Sequence, residues 1–297
     1  MDLDYDSLFV LSAVLRTGSF DGAAKQLNVT QSAVSQRIKQ LEERVGALLV
    51  VRGRPCVATE DGLLLCEHVE QVMLLQHELM RRMGEDADDQ ALTAATIRIG
   101  VNNDSLATWF PAVVKRAADE INLRLEVISD DQDFTEERLK SGDALAVVTT
   151  SDKPVPGCQH IALGKMDYLA VATPGFAKRH FSETPTFEEV STAPSVAFDR
   201  KDTLPEQWLV EAFGETVELS AHHIPSYEGH IACCLKDVGW VMMPEATVGP
   251  MISEGKLMEI VPGKRVSMPL FWQARSQSSA ILRRLSQIVA EEAEAGI

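Results

Sequence analysis

Between Gly18 and Gly46 the chain carries two short helical patterns broken at Asn28, and this pairing limits the folds open to it more than any other segment does. Ser19 is placed to cap the first pattern. Asp21 follows in its first turn, toward the positive end of the helix dipole, and Ala23, Ala24 and Leu27 supply a small apolar face. Asn28 tolerates the left-handed backbone that ends a helix. Thr30 then caps a second helix in which Val34, Ile38, Leu41 and Val45 recur at spacings of four, three and four, a single stripe facing a core. The opposite face holds Gln31, Ser32, Ser35, Gln36 and Lys39, side chains suited to base edges and phosphates, where a merely solvated face holds more Glu. The pair reads as a helix-turn-helix whose second helix enters the major groove of DNA.

Residues 48–59 continue with a β-branched run, then Gly53 and Pro55, then Val57, which predicts a short hairpin beside the second helix. Arg52 and Arg54 at its tip suit sugar-phosphate contacts or minor-groove insertion, against the plainer reading as solvated turn residues. The predicted DNA-contacting set is therefore Thr30, Gln31, Ser32, Ser35, Gln36, Arg37, Lys39, Arg52 and Arg54. Gln31, Ser32 and Ser35 are assigned to bases. Arg37, Lys39, Arg52 and Arg54 are assigned to the backbone, with Arg37 expected to pack partly inside.

These segments, Gly18-Ser-Phe, Ala23-Ala24, and Thr30-Gln-Ser-Ala-Val-Ser followed by Ile38 and Leu41-Glu42, resemble the LysR-type transcriptional regulators. The resemblance implies a winged helix-turn-helix, a long dimerisation helix and an α/β effector domain of two lobes, like periplasmic solute receptors. It also implies promoter DNA and RNA polymerase as partners, a homodimer or homotetramer, and no enzymatic activity.

A net charge of -16 over 297 residues sits oddly with DNA binding until it is apportioned. Residues 1–59 carry a balance of +1, and the remainder carries -17. The acid thus lies outside the DNA module, where it discourages indiscriminate sticking to DNA. No run approaches the roughly 20 apolar residues of a membrane span. The start, Met1-Asp-Leu-Asp-Tyr-Asp, lacks a basic, apolar signal sequence, so the expected location is the cytoplasm and no membrane partner is expected. Five cysteines form no C-x-x-C pair, which disfavours a disulfide framework. His222, His223, His230, Cys233 and Cys234 are the sharper alternative, a metal or redox cluster, but lack the paired spacings of zinc sites. No metal or cofactor is expected.

Thr59, with Glu60 and Asp61, opens a predicted helix to about Met83, roughly 36 Å at about 1.5 Å per residue. Leu65, Val69, Val72, Gln76, Leu79 and Met83 alternate four and three apart, a heptad seam for a partner helix, with packing onto the chain's own body as the alternative. Short apolar strands then alternate with helices: 97–101, 123–128, 145–148, 168–172, 195–198, 240–243 and 270–273. The expected divisions are residues 1–59 (DNA-binding unit), 60–84 (linker helix) and 97–297 (effector domain). Lobe I comprises 97–167 and 268–297, and lobe II 168–267. The chain crosses between them near 168 and 268.

Ligands of such sheets bind beyond the strands' carboxyl ends. At the first strand end, Asn102, Asp104 and Ser105 precede a helix predicted from Leu106, where a carboxylate would dock on Ser105 and the helix N-terminus. Asp104 repels such an anion unless the ligand also carries a cation; the plainer reading makes it the helix N-cap. Asp133 is the expected cap of a helix over Thr135–Ser141, leaving Asp130 or Asp131 to neutralise an ammonium or guanidinium. Thr149 and Thr150 end the third strand, and Asp199 the fifth.

Here the resemblance narrows to the lysine- and arginine-responsive branch, the ArgP and LysG type. It rests on Asn102 to Trp109, Pro154 to Cys158, Ser226-Tyr-Glu-Gly229, Gly239-Trp240 with Pro244-Glu245, and Trp272-Gln273. It implies a basic amino acid as small-molecule effector, control of an amino-acid exporter or metabolic gene, and Glu228 as a further effector candidate. His230 stands where those relatives tend to have Phe, and Val241 where Gly is usual. The rival within the class is a regulator answering an aromatic or organic acid. No G-x-S-x-G elbow, P-loop, H-E-x-x-H or dinucleotide fingerprint is present, which argues against an enzyme.

Overall fold

The computed structural model describes residues 4–83, 95–129, 138–139, 144–275 and 279–297. α1 (Tyr5–Thr17) buries Leu8, Leu11 and Val14 and stops at Gly18, whose φ of 65° is the left-handed C-cap conformation. α2 (Phe20–Gln26) starts at Ser19, whose Oγ accepts from Gly22 N at 2.9 Å, and Asn28 turns the chain with φ 54°. α3 (Gln31–Val45) starts at Thr30, whose hydroxyl accepts from Ala33 N at 3.2 Å. Val34, Ile38 and Leu41 point into the shared core, each worth about 1.5–3 kcal/mol when taken from water, while Val45 packs at its margin. β1 (Val50–Val51) and β2 (Val57–Ala58) pair antiparallel as the wing, and Leu49, Val50 and Cys56 pin it to the same core.

α4 (Glu60–Met83) leaves the wing at a tight joint. Thr59 Oγ1 donates to Leu48 O at 2.7 Å and accepts from Gly62 N at 3.1 Å. The seam predicted along this helix needs correction. Leu65 and Val69 pack into the N-terminal core, and Leu74 enters the effector core. Leu79 of the predicted seam is exposed, and among the described residues Leu64, Met73 and Leu75, outside the seam, are exposed with it. A helix that touches a core at each end uses part of its apolar stripe on its own chain, so the first two seam residues are covered while Leu79 stays exposed. Arg275 Nη1 meets Glu67 Oε2 at 2.5 Å, and Glu78 Oε2 accepts from Ala280 N at 3.1 Å, fixing α4 to the effector domain at two levels.

In the first lobe β3 (Ala95–Gly100), β4 (Leu123–Ile128) and β5 (Ala146–Thr149) are parallel, with α5 (Asn103–Ala107) and α6 (Phe110–Ile121) in the connection. Every residue of β5 is buried, as a strand covered on both faces requires. In the second lobe β7 (Ser195–Ala197) lies parallel to β8 (Ala221–His223) and β9 (Trp240–Pro244).

Two long antiparallel strands, β6 (Cys158–Ala172) and β11 (Arg265–Arg275), pass through both lobes. They make one sheet of nine strands among the described residues, ordered β4-β3-β5-β11-β6-β9-β7-β8 with β10 (Met258–Glu259) on β6. The sequence reading saw only 168–172 and 270–273 of these strands. Their remaining residues, among them Lys165, Asp167 and Ser267, carry no continuous apolar signal where they bridge the lobes. The register shifts between Leu270 and Phe271, near Gly164 with φ 128°, a bulge that adds twist at the passage. The last helix, Ala280–Gly296, covers the first lobe, with Trp272 Nε1 donating to Ser286 Oγ at 2.9 Å. No helix among the described residues is long and apolar enough to cross a membrane.

Candidate functional site

A cavity of about 140 Å³ opens where the long strands pass between the lobes. Asn102, Asn103 and Asp104, at the end of β3 and the start of α5, form one wall. Phe198, Asp199, Asp202, Tyr227 and His230 of the second lobe form the facing wall, and Tyr168 of β6 and Met268 of β11 join them.

Asp104 is the electrostatic centre. Its Oδ2 accepts from Tyr168 Oη at 2.5 Å. Burial pushes its carboxyl above the ordinary carboxylate range; the Tyr168 bond opposes this shift, and the charge of Asp202 adds to it. Tyr168 is itself pushed well above the ordinary phenol range, by burial first and then by Asp104, so its proton stays in place to donate. Burial also raises Tyr227 and lowers His230. Asp199 and Asp202 shape their own loop: Asp199 Oδ1 accepts from Lys201 N and Asp202 N, and Asp202 accepts from Phe198 N and Leu204 N. Both amide atoms of Asn102 and Nε2 of His230 are buried without a hydrogen-bond partner among the described residues. Buried polar atoms are nearly always paired, so these atoms stand out in the cavity wall.

The structure thus brings Asn102, Asp104 and Asp199 of the predicted effector set together. The expected cap role of Asp104 is corrected, because α5 begins at Asn103 and Asn102 is its N-cap position. The helix predicted from Leu106 is a five-residue turn, too short to offer the anion site expected of it. Ser105 is fully buried off the cavity lining. Thr149 also lies off it, its hydroxyl accepting from Ser151 N at 3.2 Å in a local turn, as does Thr150. Glu228 is exposed and takes a bond from Ser226 Oγ at 3.4 Å, outside the lining. Asp130 and Asp131 lie outside the described residues, as does most of the helix predicted over Thr135–Ser141.

Sequence reasoning missed Tyr168, Asp202 and Tyr227. Tyr168 was legible only as a strand residue, and Tyr227 sat unread inside the Ser226–Gly229 segment. Asp202, just ahead of Leu204-Pro205, carried a helix-start signal that points to a structured loop. Val241 lies buried in β9, opposite Val171 and Val196, a packing position. Gln273 explains why Pro154 to Cys158 and Trp272-Gln273 belong together: its amide accepts from Val155 N at 2.8 Å and donates to Lys153 O at 2.9 Å. Among the described residues no three His, Cys, Asp or Glu side chains are grouped to hold a metal ion, and burial pushes the Cys234 thiol up to about 12.

At the other end of the molecule, Thr30, Gln31, Ser32, Gln36, Arg37 and Lys39 are exposed on and before α3, and Ser35 is half-buried. Arg37 is exposed rather than partly inside, because Val34, Ile38 and Leu41 already fill the stripe that faces the core. Lys39 pairs with Glu43 at 3.7 Å, a surface bridge of little energy. In the wing, Arg52 and Arg54 are exposed, with the Arg52 guanidinium 5.1 Å from the Phe20 ring centroid.

Comparison with known proteins agrees with both ends. Residues 5–63 match the bacterial regulatory helix-turn-helix proteins of the lysR family, and residues 90–294 match the LysR substrate binding domain. The HTH-type transcriptional regulator LysG of Mycobacterium tuberculosis is 40% identical over 287 residues, 97% of this chain and 92% of that protein. The crystal structure of ArgP from Mycobacterium tuberculosis superposes with a TM-score of 0.80 at 39% identity, covering 98% of each chain. Full-length LysG from Corynebacterium glutamicum, with its effector Arg bound, gives 0.72 at 31% identity over 99% of each chain. The chain belongs to the LysR family of DNA-binding transcriptional regulators and is of the LysG and ArgP type.

Proposed function

We propose that this regulator senses a basic amino acid of the arginine or lysine type and controls transcription of a gene for its export or metabolism. The observation that carries the reading is the charge around the cavity: Asp104, Asp199 and Asp202 against one ammonium, Lys201. Asp104 is desolvated with the charge of Asp202 nearby, and a carboxylate so placed is costly until a cation joins it. A basic side chain supplies that cation, and the amide of Asn102 offers a donor for the amino acid's own carboxylate. Arg bound to the LysG relative supports the reading. An aromatic or organic acid brings only more negative charge.

The functional divisions follow the chain: residues 1–59 bind DNA, 60–84 link, and 97–297 sense. Two copies pair through the exposed apolar side of α4, around Leu64, Leu75 and Leu79, as a dimer or a pair of dimers. Two recognition helices then meet a pseudo-palindromic promoter site. Gln31, Ser32 and Ser35 read bases, and Arg37, Lys39, Arg52 and Arg54 hold phosphates. The protein works in the cytoplasm, where it meets RNA polymerase. Calorimetric titration with arginine, lysine, a neutral amino acid and benzoate tests the reading. Selective binding of the basic amino acids is expected, and binding of benzoate alone, or of none, overturns it.

A further inference from the structure

His230 holds a position in the cavity that the carboxylates do not explain. It sits on the helix Tyr227–Leu235, is 6% exposed, and lines the cavity wall facing Asn102 and Asp104. The edge of Phe198 meets its ring at a centroid distance of 6.0 Å. The backbone carbonyls of Ala197 and Ile224 lie near the ring and favour an N–H there, and we assign that proton to Nδ1. The other, Nε2, has no partner among the described residues. A neutral imidazole with its proton held on one side is a bare acceptor on the other. Nε2 therefore presents an acceptor, shielded from bulk water, to whatever enters the cavity, and only a ligand carrying a donor satisfies it.

The two common basic side chains differ in how far their donors spread. An ammonium radiates three N–H groups from one atom, and the carboxylate oxygens of the cavity can use all of them. A guanidinium distributes five over a rigid plane, so that with two N–H groups on one carboxylate others remain at its far edge. From this geometry we infer that His230 is a specificity-determining residue of the effector site, its Nε2 accepting a hydrogen bond from a guanidinium N–H so that a guanidino amino acid is preferred over lysine. The inference rests on the reading of the cavity as a site for basic amino acids.

Calorimetric titration of the full-length protein with arginine and with lysine tests it, using wild type, His230→Phe and His230→Gln. Wild type is expected to bind arginine at least tenfold more tightly than lysine. His230→Phe keeps an aromatic body without the acceptor and is expected to lose about tenfold or more in arginine affinity, with lysine changed less than threefold. His230→Gln, which can place a carbonyl oxygen near the lost nitrogen, is expected to recover part of the arginine preference. Equal losses for both ligands in both variants, or unchanged arginine affinity in His230→Phe, overturn the role of His230 and leave the cation site intact. Absence of binding of either amino acid to wild type overturns the underlying site reading instead.

Discussion

Replacing Asp104 by Asn removes charge from the centre of the cavity and leaves shape almost unchanged. Tyr168 Oη donates to Asp104 Oδ2 at 2.5 Å, while burial, reinforced by Asp202, holds the carboxyl above its ordinary value of 3.8. A raised carboxyl means that the folded chain binds this proton more tightly than the unfolded chain does. Stability from the group is therefore present below 3.8 and is lost as pH rises through the raised value. At pH above the raised value, ionised Asp104 works against the fold. Asp104→Asn lifts that penalty and is expected to melt at the same temperature as wild type or higher at pH 7.

Binding moves in the opposite direction. Truncating one partner of a buried, hydrogen-bonded charge pair costs about 2–5 kcal/mol. Because Asp104 keeps some solvent contact, the low end applies, about 2–3 kcal/mol, or about 30- to 150-fold in arginine affinity. The incoming cation also draws the carboxyl back toward its ordinary range. Wild type is thus expected to release protons on binding at pH values between 3.8 and the raised value, seen as a buffer-dependent enthalpy that the Asn variant lacks. Titration in two buffers, with scanning calorimetry of both proteins, measures all three effects. An Asn variant that binds arginine within threefold of wild type, or that melts distinctly lower, refutes the reasoning.

Three further expectations concern the rest of the molecule. At Gly62 a Cβ would lie 2.1 Å from Leu49 O, so Gly62→Ala, which gains about 1 kcal/mol in an open helix, is expected to cost about 1–3 kcal/mol here by thermal unfolding. Arg275→Ala breaks the bonds to Glu67 Oε2 and Leu139 O and is expected to abolish the arginine-dependent change in the DNA footprint while arginine affinity stays within threefold. On DNA, Arg54→Ala is expected to weaken operator and unrelated sequence alike, with the salt slope reduced by about one, whereas Gln31→Ala should cost about 1–3 kcal/mol on the operator alone.

The parts of this fold that announce themselves in sequence are those with one residue type per geometric need. Ser19 and Thr30 cap α2 and α3, and Val34, Ile38 and Leu41 reach the core. β4 falls where its apolar run puts it, over Leu123–Ile128. The linker helix was legible in extent but not in facing, because its period alone does not say which core takes Leu65, Val69 and Leu74. Long β6 and β11 were half hidden, since a strand bridging two lobes is buried in stretches and wet between them. In the cavity, acid at the first strand end pointed to Asp104. The second lobe's contributors come from a loop and a helix far apart in sequence, and only tertiary packing brings Asp202, Tyr227 and His230 to Tyr168.

If this cavity holds the effector, its signal reaches DNA by way of α4, and the contacts mark a short route. Tyr168 bonds Asp104 and lies opposite Val266 in the paired long strands, and Met268 lines the cavity on the same strand that ends at Arg275, the residue holding Glu67 of α4. Glu78 further along α4 caps the helix that follows β11, at Ala280 N. An effector acts through this route only to the extent that it binds one arrangement of the lobes more tightly than another. Moving such an equilibrium from 1:99 to 99:1 takes about 5.5 kcal/mol of differential affinity. The Asp104 contact, at about 2–3 kcal/mol, does not suffice. The remainder has to come from contacts made in only one arrangement, and the groups placed to make them are on the facing wall: Asp199 and His230 of the second lobe, across from Asn102 and Asp104 of the first. A ligand that satisfies one wall occupies the site; a ligand with polar groups for both walls is what shifts the lobes, and a basic amino acid, with its cation and its carboxylate at opposite ends, has that form.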